Sequence, residues 1–298
     1  MPLIGVGGFA DVILTSYTQF AMTWRRFCWL FYKRAQSLIV PGLTHSQLVY
    51  AQKVKSLVGN GSKWLELGCG HELLRSWSIS ADELEDIVGR PKLLVGIDVG
   101  LGDLQRHARI RDKVCGTASE LPFASGTFDL VAANMVVEHL DRVSTVLTEV
   151  HRILRPGGCF LFHTTNRSHY MFRVAQWVPQ QLRDRIIWFL QRRAEEDVFP
   201  TLYKMNDASS IKALATEAGL TVRELDLLES EPTTIVLGPL VLLELLITRL
   251  LLLKPFGRFR SNIIAVLQKP DTAARSAPPP LSSREVSDVA LSDASHCV

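Results

Sequence analysis

The apolar residues of this chain form two kinds of pattern. Short continuous apolar runs are typical of strands buried on both faces of a sheet, and between them apolar residues recur at helical spacing. The predicted strands cover residues 63–67, 92–98, 128–133, 158–165, 220–228 and 262–269, and the predicted helices cover residues 45–58, 81–88, 142–154 and 208–219. Strands that alternate with helices predict an α/β protein built on a mostly parallel sheet.

Polar residues and glycines mark the ends of several predicted helices. Thr44 is predicted to cap the first of them, Ser80 and Glu83 have the spacing of a capping box, and Gly219 follows the last. The predicted organisation is an N-terminal extension (1–43), an α/β domain (44–269) and a tail (270–298). The tail is rich in Ala, Ser, Pro and Asp and has no apolar period, so it is predicted to be disordered.

The most informative stretch is residues 64–70, where an apolar strand runs into Gly68-Cys69-Gly70 and a second apolar strand ends at Asp98. This arrangement is typical of sites for the adenosine half of a cofactor, because glycines let the backbone approach and a carboxylate accepts the ribose hydroxyls. A dinucleotide-binding fold would have a third glycine where this chain has Leu73. The pattern therefore predicts a nucleoside and argues against a dinucleotide.

Four further motifs follow in order, and they are Leu121-Pro122-Phe123, Phe128-Asp129-Leu130-Val131, Glu138-His139-Leu140 and Leu154-Arg155-Pro156-Gly157-Gly158. With the glycine turn, they resemble the class I S-adenosylmethionine-dependent methyltransferases of the type 11 domain family over roughly residues 45–170. The resemblance implies a Rossmann-like three-layer sandwich with a seven-stranded, mostly parallel sheet. It also implies S-adenosyl-L-methionine as cofactor and a small-molecule acceptor.

The resemblance also implies roles for individual residues at the cofactor. The matching positions are Glu66, Gly68, Cys69 and Gly70 along the methionine part, Asp98 at the ribose, Thr117 and Ala118 at the adenine edge, and Asn134 and Met135 beneath the sulfonium. Two positions depart from the family pattern. Glu72 stands where a third glycine is frequent, and Thr117 stands where an aspartate is usual. These departures suggest a reshaped turn and an uncharged adenine contact.

Positions after the fourth and fifth strands supply candidates for catalysis, because acceptors bind at the carboxyl ends of parallel strands. His139, His163, His169 and Tyr203 are the candidate catalytic residues. Alternatives stay open for two of them: His139 could bond backbone beside a capping Glu138, and His163 could be a strand histidine that points into a helix layer. The ubiquinone-pathway O-methyltransferases carry a similar Glu-x-x-Glu-His run that looks like a metal site, but this chain has Met135 at the leading position. With only two of the three ligands present, no metal is predicted.

Residues 167–206 form a long insertion after the fifth strand. Its aromatic residues and arginines, such as Trp177, Trp188 and Arg192, would make an apolar lid with a cationic rim, and residues 197–203 resemble a run near the acceptor pocket of type 11 relatives. A helical hairpin that covers the sheet, with solvated arginines, fits the same pattern.

Two other segments are extra to the core. In residues 14–40, four aromatic residues share a helical face and the basic residues lie largely elsewhere, which fits a helix at a membrane surface or one packed on protein. Residues 238–254 contain an intensely apolar run of fourteen residues (240–253), fewer than the roughly 20 that span a bilayer. The run also precedes a strand that must return to the sheet. The two segments together predict peripheral membrane contact rather than insertion.

The composition of the chain limits the kinds of protein that it can be. With 298 residues, 47% of them apolar, the chain can bury a full core, and one catalytic domain is the natural count. A net charge of +3 gives no argument for nucleic acid as partner, and the five cysteines lack CxxC spacing. No secretory signal is recognisable, so a cytoplasmic protein is predicted, with contact at the membrane surface.

The sequence favours a methyltransferase that acts on a small, apolar, lipid-linked or glycan acceptor. Two alternatives stay open. Glu72 and Thr117 are compatible with an inactive S-adenosylmethionine-binding module, and a nicotinamide-dependent dehydrogenase is disfavoured by Leu73. The oligomeric state is left open.

Overall fold

The computed structural model describes residues 7–74, 78–172 and 201–271, with the side chains of the first helix described from residue 23. The helices are α1 (Gly7–Ile39), α2 (Ser46–Leu57), α3 (Ala81–Gly89), α4 (Leu101–Arg106), α5 (Val143–Ile153), α6 (Ala208–Glu217) and α7 (Val241–Leu251). The strands are β1 (Lys63–Leu67), β2 (Leu93–Asp98), β3 (Asp112–Cys115), β4 (Phe128–Asn134), β5 (Leu154–Thr165), β6 (Thr221–Leu228) and β7 (Asn262–Gln268). Short 3₁₀ helices cover Val137–His139, Ile235–Leu240 and Lys254–Phe259.

The seven strands form one sheet in the order β3-β2-β1-β4-β5-β7-β6. All neighbouring pairs from β3 to β5 are parallel, and β7 is antiparallel to both β5 and β6. The predicted α/β class, with a seven-stranded and mostly parallel sheet, is confirmed. The strand order reverses direction at β1, and the carboxyl ends of β1, β2, β4 and β5 share one edge, where ligands bind in such sheets.

Helices cover both faces of the sheet, which makes the three layers. Alternate residues of each strand point to opposite faces. One face carries Leu65, Val131, Phe160, Phe162 and Ile263 against α5 and α6. The other carries Trp64, Leu130, Leu161 and Ile264 against α2, α3 and α4. Both faces are therefore dry, as the continuous apolar runs in the sequence require.

Most predicted boundaries agree with the structure to within a residue or two, but three do not. The predicted cap Thr44 is wrong: His45 caps α2, its Nδ1 accepting a hydrogen bond from Gln47 N at 3.1 Å, while the Thr44 hydroxyl bonds the Gly42 carbonyl. β3 was not located, because four half-exposed residues leave no apolar run. β5 begins at Leu154, four residues earlier than predicted, since Leu154 pairs with Phe128 of β4 ahead of an irregularity in the register.

The N-terminal extension and the apolar run between β6 and β7 pack on each other. α1 contributes Tyr32 and Ala35 to a small third core, Val40 directly after the helix joins them, and α7 contributes Val241 and Leu245. Residues 233–251 are long and apolar enough to cross a membrane by length and composition, with a third of that stretch buried. Most of the tail that is predicted to be disordered (272–298) and most of the predicted insertion (173–200) lie outside the described residues, and the domain boundaries stay a prediction.

Candidate active site

The glycine turn after β1 is held in a conformation that side chains resist. Gly68 has φ +65° and Gly70 has φ +52°, in the left-handed region that favours glycine. A Cβ on Gly68 would lie 2.5 Å from a methyl of Val136, so no side chain fits there. A Cβ on Gly70 would meet no atom within 4 Å. Gly68 is therefore fixed by packing on the loop after β4, whereas Gly70 borders open space that a ligand can fill.

The Asp98 side chain, at the end of β2, stabilises this turn by hydrogen bonds. Its Oδ2 accepts a hydrogen bond from Gly70 N at 2.8 Å, and its Oδ1 accepts one from Gly100 N, also at 2.8 Å. Each carboxylate oxygen can accept a second hydrogen bond. The carboxylate is half-buried, so a pair of ribose hydroxyls could reach its remaining acceptor positions. The glycine turn and Asp98 thus fit a nucleoside.

Glu66 lies deeper, in β1 directly before the turn. Its side chain is 2% exposed and accepts a hydrogen bond from Trp64 Nε1 at 3.1 Å. Burial raises the pKa of Glu66 to about 8. The group is therefore protonated at neutral pH, and a nearby cation such as an amino group would draw it toward the charged form.

The remaining positions assigned to the cofactor lie around the same edge. Thr117 and Ala118 follow β3, beside the end of β2, and the exposed Thr117 hydroxyl bonds Ser119 Oγ at 2.6 Å. Cys69 is buried, and burial raises the pKa of its thiol to about 12, so it is a packing residue without nucleophilic character. It fills the space above Gly96, where an added Cβ would lie 2.7 Å from its sulfur.

Asn134 ends β4 and is fixed by two other elements. Its side-chain amide exchanges two hydrogen bonds with Gln47 of α2, at 2.8 and 3.2 Å, and its Oδ1 lies 2.9 Å from His163 Nδ1. His163 Nε2 lies 3.2 Å from Asn262 Oδ1, and the imidazole stacks on Tyr50. Burial lowers the pKa of His163 to about 4, so the imidazole is neutral and its single N–H can donate to only one of these two amide oxygens. This geometry makes His163 a positioning residue for Asn134.

Met135 adopts φ +58°, an uncommon conformation for a residue with a side chain. Its amide donates to the His163 carbonyl at 2.8 Å, which continues the pairing of β4 with β5 past the last strand residue. The next residue, Val136, packs its side chain against Gly68. The strained residue therefore sits where β1 and β4 end side by side.

Glu138 and Tyr203 are brought together from distant parts of the sequence. Leu202 N and Tyr203 N donate to the Glu138 carbonyl at 2.7 and 3.2 Å. The Glu138 carboxylate accepts a hydrogen bond from the Thr164 hydroxyl at 2.7 Å, and Asn206 Nδ2 bonds that hydroxyl at 2.7 Å. The segment around Leu202 and Tyr203 is thus hydrogen-bonded to the 3₁₀ turn after β4. Tyr203 has φ +51° and its ring packs edge-on against Phe172.

His139 ends the same 3₁₀ turn and is half-buried. Its amide donates to the Val136 carbonyl at 3.0 Å. Within the described residues, no group of three or more His, Cys, Asp or Glu side chains is arranged to hold a metal ion.

His169 faces a carboxyl group that the sequence did not single out. Its Nε2 lies 3.8 Å from Glu229 Oε1, and both side chains are over nine-tenths buried. Burial lowers the pKa of His169 to about 4 and raises the pKa of Glu229 to about 7. Nε2 has no hydrogen-bond partner among the described residues. A neutral imidazole with an unpaired nitrogen can take up a proton from a group that comes within hydrogen-bond reach of that nitrogen.

Three contributors to this site were missed from the sequence, namely Gln47, Val136 and Glu229. Glu229 directly follows β6, so its place at a strand end was a usable signal. Gln47 lies on the buried side of α2, where a polar residue among apolar ones signals a hydrogen-bond partner. Val136 carried no signal, because its role depends on two loops that meet only in the fold.

Comparison with known proteins identifies the central part of the chain. Residues 65–162 match the family described as methyltransferase domain. The chain is similar to a fatty-acid O-methyltransferase of Mycolicibacterium smegmatis, 35% identical over 140 residues, which cover 45% of this chain and 47% of that protein. It is also similar to a ubiquinone biosynthesis O-methyltransferase of Pseudomonas aeruginosa, 28% identical over 190 residues, which cover 58% and 71%.

Among solved structures, a geranyl diphosphate C-methyltransferase from Streptomyces coelicolor A3(2) matches with a TM-score of 0.47 and 11% identity, over 74% of this chain and 80% of that one. The chain spans about half the length of most of the first curated relatives that it matches.

Proposed function

Residues 65–162 form a class I S-adenosylmethionine-dependent methyltransferase domain of the type 11 family, and from this premise we propose that the chain transfers a methyl group to an oxygen of a small apolar acceptor. The cofactor is S-adenosyl-L-methionine. The observation that carries the proposal is the pairing of an open glycine turn, at Gly70, with the Asp98 carboxylate 2.8 Å from its amide. Glu66, Asn134 and Met135 stand around the same turn.

S-adenosylmethionine supplies an electrophilic methyl group on a sulfonium. The protein has to bind the acceptor in line and exclude water. An acceptor hydroxyl must also lose its proton as the new carbon–oxygen bond forms, and His169 Nε2 is the free basic nitrogen at the carboxyl edge. Glu229 Oε1 lies 3.8 Å from the same nitrogen and would stabilise the imidazolium once Glu229 is ionised. The proton therefore moves from the acceptor oxygen to His169.

An oxygen acceptor with an apolar body is supported by two lines of evidence. The relatives named above include an enzyme for fatty acids and one for ubiquinone biosynthesis, both of them O-methyltransferases by name. Large apolar side chains of α1 and α7 lie exposed beside the same edge of the sheet. An inactive S-adenosylmethionine-binding module is the alternative, and Glu72 and Thr117 are its only support.

Transfer of labelled methyl groups from S-adenosylmethionine into a fractionated lipid and small-molecule extract tests the proposal. We expect label in an ether- or ester-bearing apolar product. His169→Gln should lower kcat about 100-fold or more with a hydroxyl acceptor while KM changes little, because general-base assistance is typically worth a factor of 10² to 10⁴. Cofactor binding without transfer to any fraction would favour the inactive module.

A further inference from the structure

The outer sides of α1 and α7 expose an unusual amount of apolar surface. The exposed side chains are Trp24, Phe27, Trp29, Leu30 and Leu38 on α1, and Leu240, Leu243, Leu246, Leu250, Leu253 and Phe256 on and beside α7. Leu38 is 76% exposed and Leu243 is 65% exposed. These residues are called the apolar surface below. Soluble proteins scatter single exposed apolar residues, whereas many on two neighbouring helices mark an interaction site.

Apart from Trp24, the apolar surface is not needed to hold the two helices together. Trp24 Nε1 donates to the Val236 carbonyl at 3.1 Å, and the Arg249 guanidinium donates to the Ile39 carbonyl at 3.0 Å. These two contacts show that α1 and α7 run side by side in the same direction. The space between them is filled by a different set of side chains, which includes Tyr32, Ala35, Val241 and Leu245. The exposed sides are therefore free for another partner.

The net positive charge of the segments that contain α1 and α7 indicates which kind of partner they bind. Residues 23–40 and 231–260 contain eight basic residues, namely Arg25, Arg26, Lys33, Arg34, Arg249, Lys254, Arg258 and Arg260, and two acidic residues, Glu231 and Glu244, of which Glu231 pairs with Lys33 at 2.8 Å. The whole chain has a net charge of +3, so the remainder is net negative. Glu244 is also occupied, because it accepts hydrogen bonds from the amides of Thr233 and Thr234. Apolar side chains rimmed by basic ones complement an anionic lipid surface.

The connection of α7 to β6 and β7 shows whether this helix can cross a bilayer or can only lie on its surface. The chain leaves β6 at Leu228 and enters β7 at Asn262, and these two residues are paired in the sheet. A single crossing by α7 would leave its two ends on opposite sides of the bilayer, which this pairing forbids. The same pairing puts the segment at the carboxyl edge of β5, where Thr165 pairs with Asn262. The apolar surface is thus beside the candidate active site.

We propose that α1 and α7 bind the surface of an anionic bilayer through the apolar surface, with the arginines and lysines at the headgroups, so that the active-site edge faces the lipid. The binding does not depend on catalysis. An apolar acceptor would enter the site from the bilayer, a route that rests on the proposed methyltransferase function.

Flotation of the full chain with vesicles tests this. Vesicles of phosphatidylcholine with 30% phosphatidylglycerol are compared with pure phosphatidylcholine, for the wild type, for Leu243→Glu with Leu246→Glu, and for Arg25→Glu with Arg26→Glu. Lys92→Glu with Lys212→Glu is the charge-matched control, since both lysines are exposed on the α/β domain. Calorimetric binding of S-adenosylmethionine and circular dichroism report independently on the methyltransferase site and the fold.

We expect the wild type and the lysine control to float with anionic vesicles. The leucine variant should lose at least tenfold in partitioning to both vesicle types, and the arginine variant should lose about tenfold with the anionic vesicles alone. Absence of flotation for the wild type, or equal flotation of all variants, overturns the proposal. A dimer in light scattering that the leucine variant dissociates, without any flotation, would instead make this face a contact between copies. Cofactor binding is expected to be the same in all four proteins.

Discussion

Burial gives two carboxyl groups of this protein pKa values close to neutrality, Glu66 at about 8 and Glu229 at about 7. An acid whose pKa is raised on folding holds its proton longer in the folded state than in the unfolded one. The folded state then binds more protons over that range, so its stability falls as the pH rises from the unfolded pKa to the folded one. The site therefore carries a stability cost at neutral pH that a ligand cation can relieve.

Glu66→Gln should remove one part of this pH dependence. Between pH 5 and pH 8 the wild type is expected to lose on the order of 2–4 kcal/mol of unfolding free energy more than the variant, because about three pH units lie below the raised pKa. Urea unfolding at several pH values measures the difference. Parallel pH profiles for the two proteins would mean that Glu66 is ionised in the fold.

The two glycines of the turn should respond differently to alanine. Gly70→Ala puts a methyl group into open space, so its stability cost is the left-handed φ alone, about 1 kcal/mol, while S-adenosylmethionine binding should fall at least tenfold. Gly68→Ala should cost more stability, because its methyl collides with Val136. Thermal unfolding and calorimetry separate the two effects. Normal cofactor affinity in Gly70→Ala would place the ligand elsewhere.

At the level of elements, the sequence predicted what depends on continuous patterns. Strands β1, β2, β4 and β7 are marked by apolar runs, and the Ser80 cap with Glu83 marks the start of α3, where the Glu83 amide bonds the Ser80 hydroxyl at 3.2 Å. β3 lacks such a run because it lies at the sheet edge with half-exposed residues. The glycine turn and Asp98 could be placed because they are local to strand ends. The His169–Glu229 contact could not, since it joins loops 60 residues apart whose approach is set by β7.

The link between α2 and β4 is an element-level feature that can be tested. Gln47→Leu leaves the half-buried Asn134 amide without its reciprocal partner, so we expect a loss of about 1–3 kcal/mol in unfolding free energy. Gln52→Leu is the matched control, because Gln52 lies on the exposed side of the same helix. Equal stability of the two variants would show that the amide pair contributes nothing.

For the whole molecule, the three cores have two different tasks. The two faces of the sheet fix the strand ends that carry Gly70, Asp98 and Asn134. The third core joins α1 to α7 beside the same edge and leaves their outer sides exposed. The proposed cofactor site and the apolar surface thus lie on the same side of the molecule.

Calorimetric titration of the full chain with S-adenosyl-L-methionine tests the central claim most directly, with Asp98→Ala compared against Asp112→Ala. Asp112 is an exposed aspartate at the start of β3, away from the glycine turn. The wild type and Asp112→Ala are expected to bind with equal affinity. Asp98→Ala should bind about 100-fold more weakly or not at all, since a carboxylate contributes roughly 1.5–3 kcal/mol for each hydrogen bond to it. Unchanged affinity in Asp98→Ala, with the fold intact by circular dichroism, would contradict the assignment of this edge as the cofactor site.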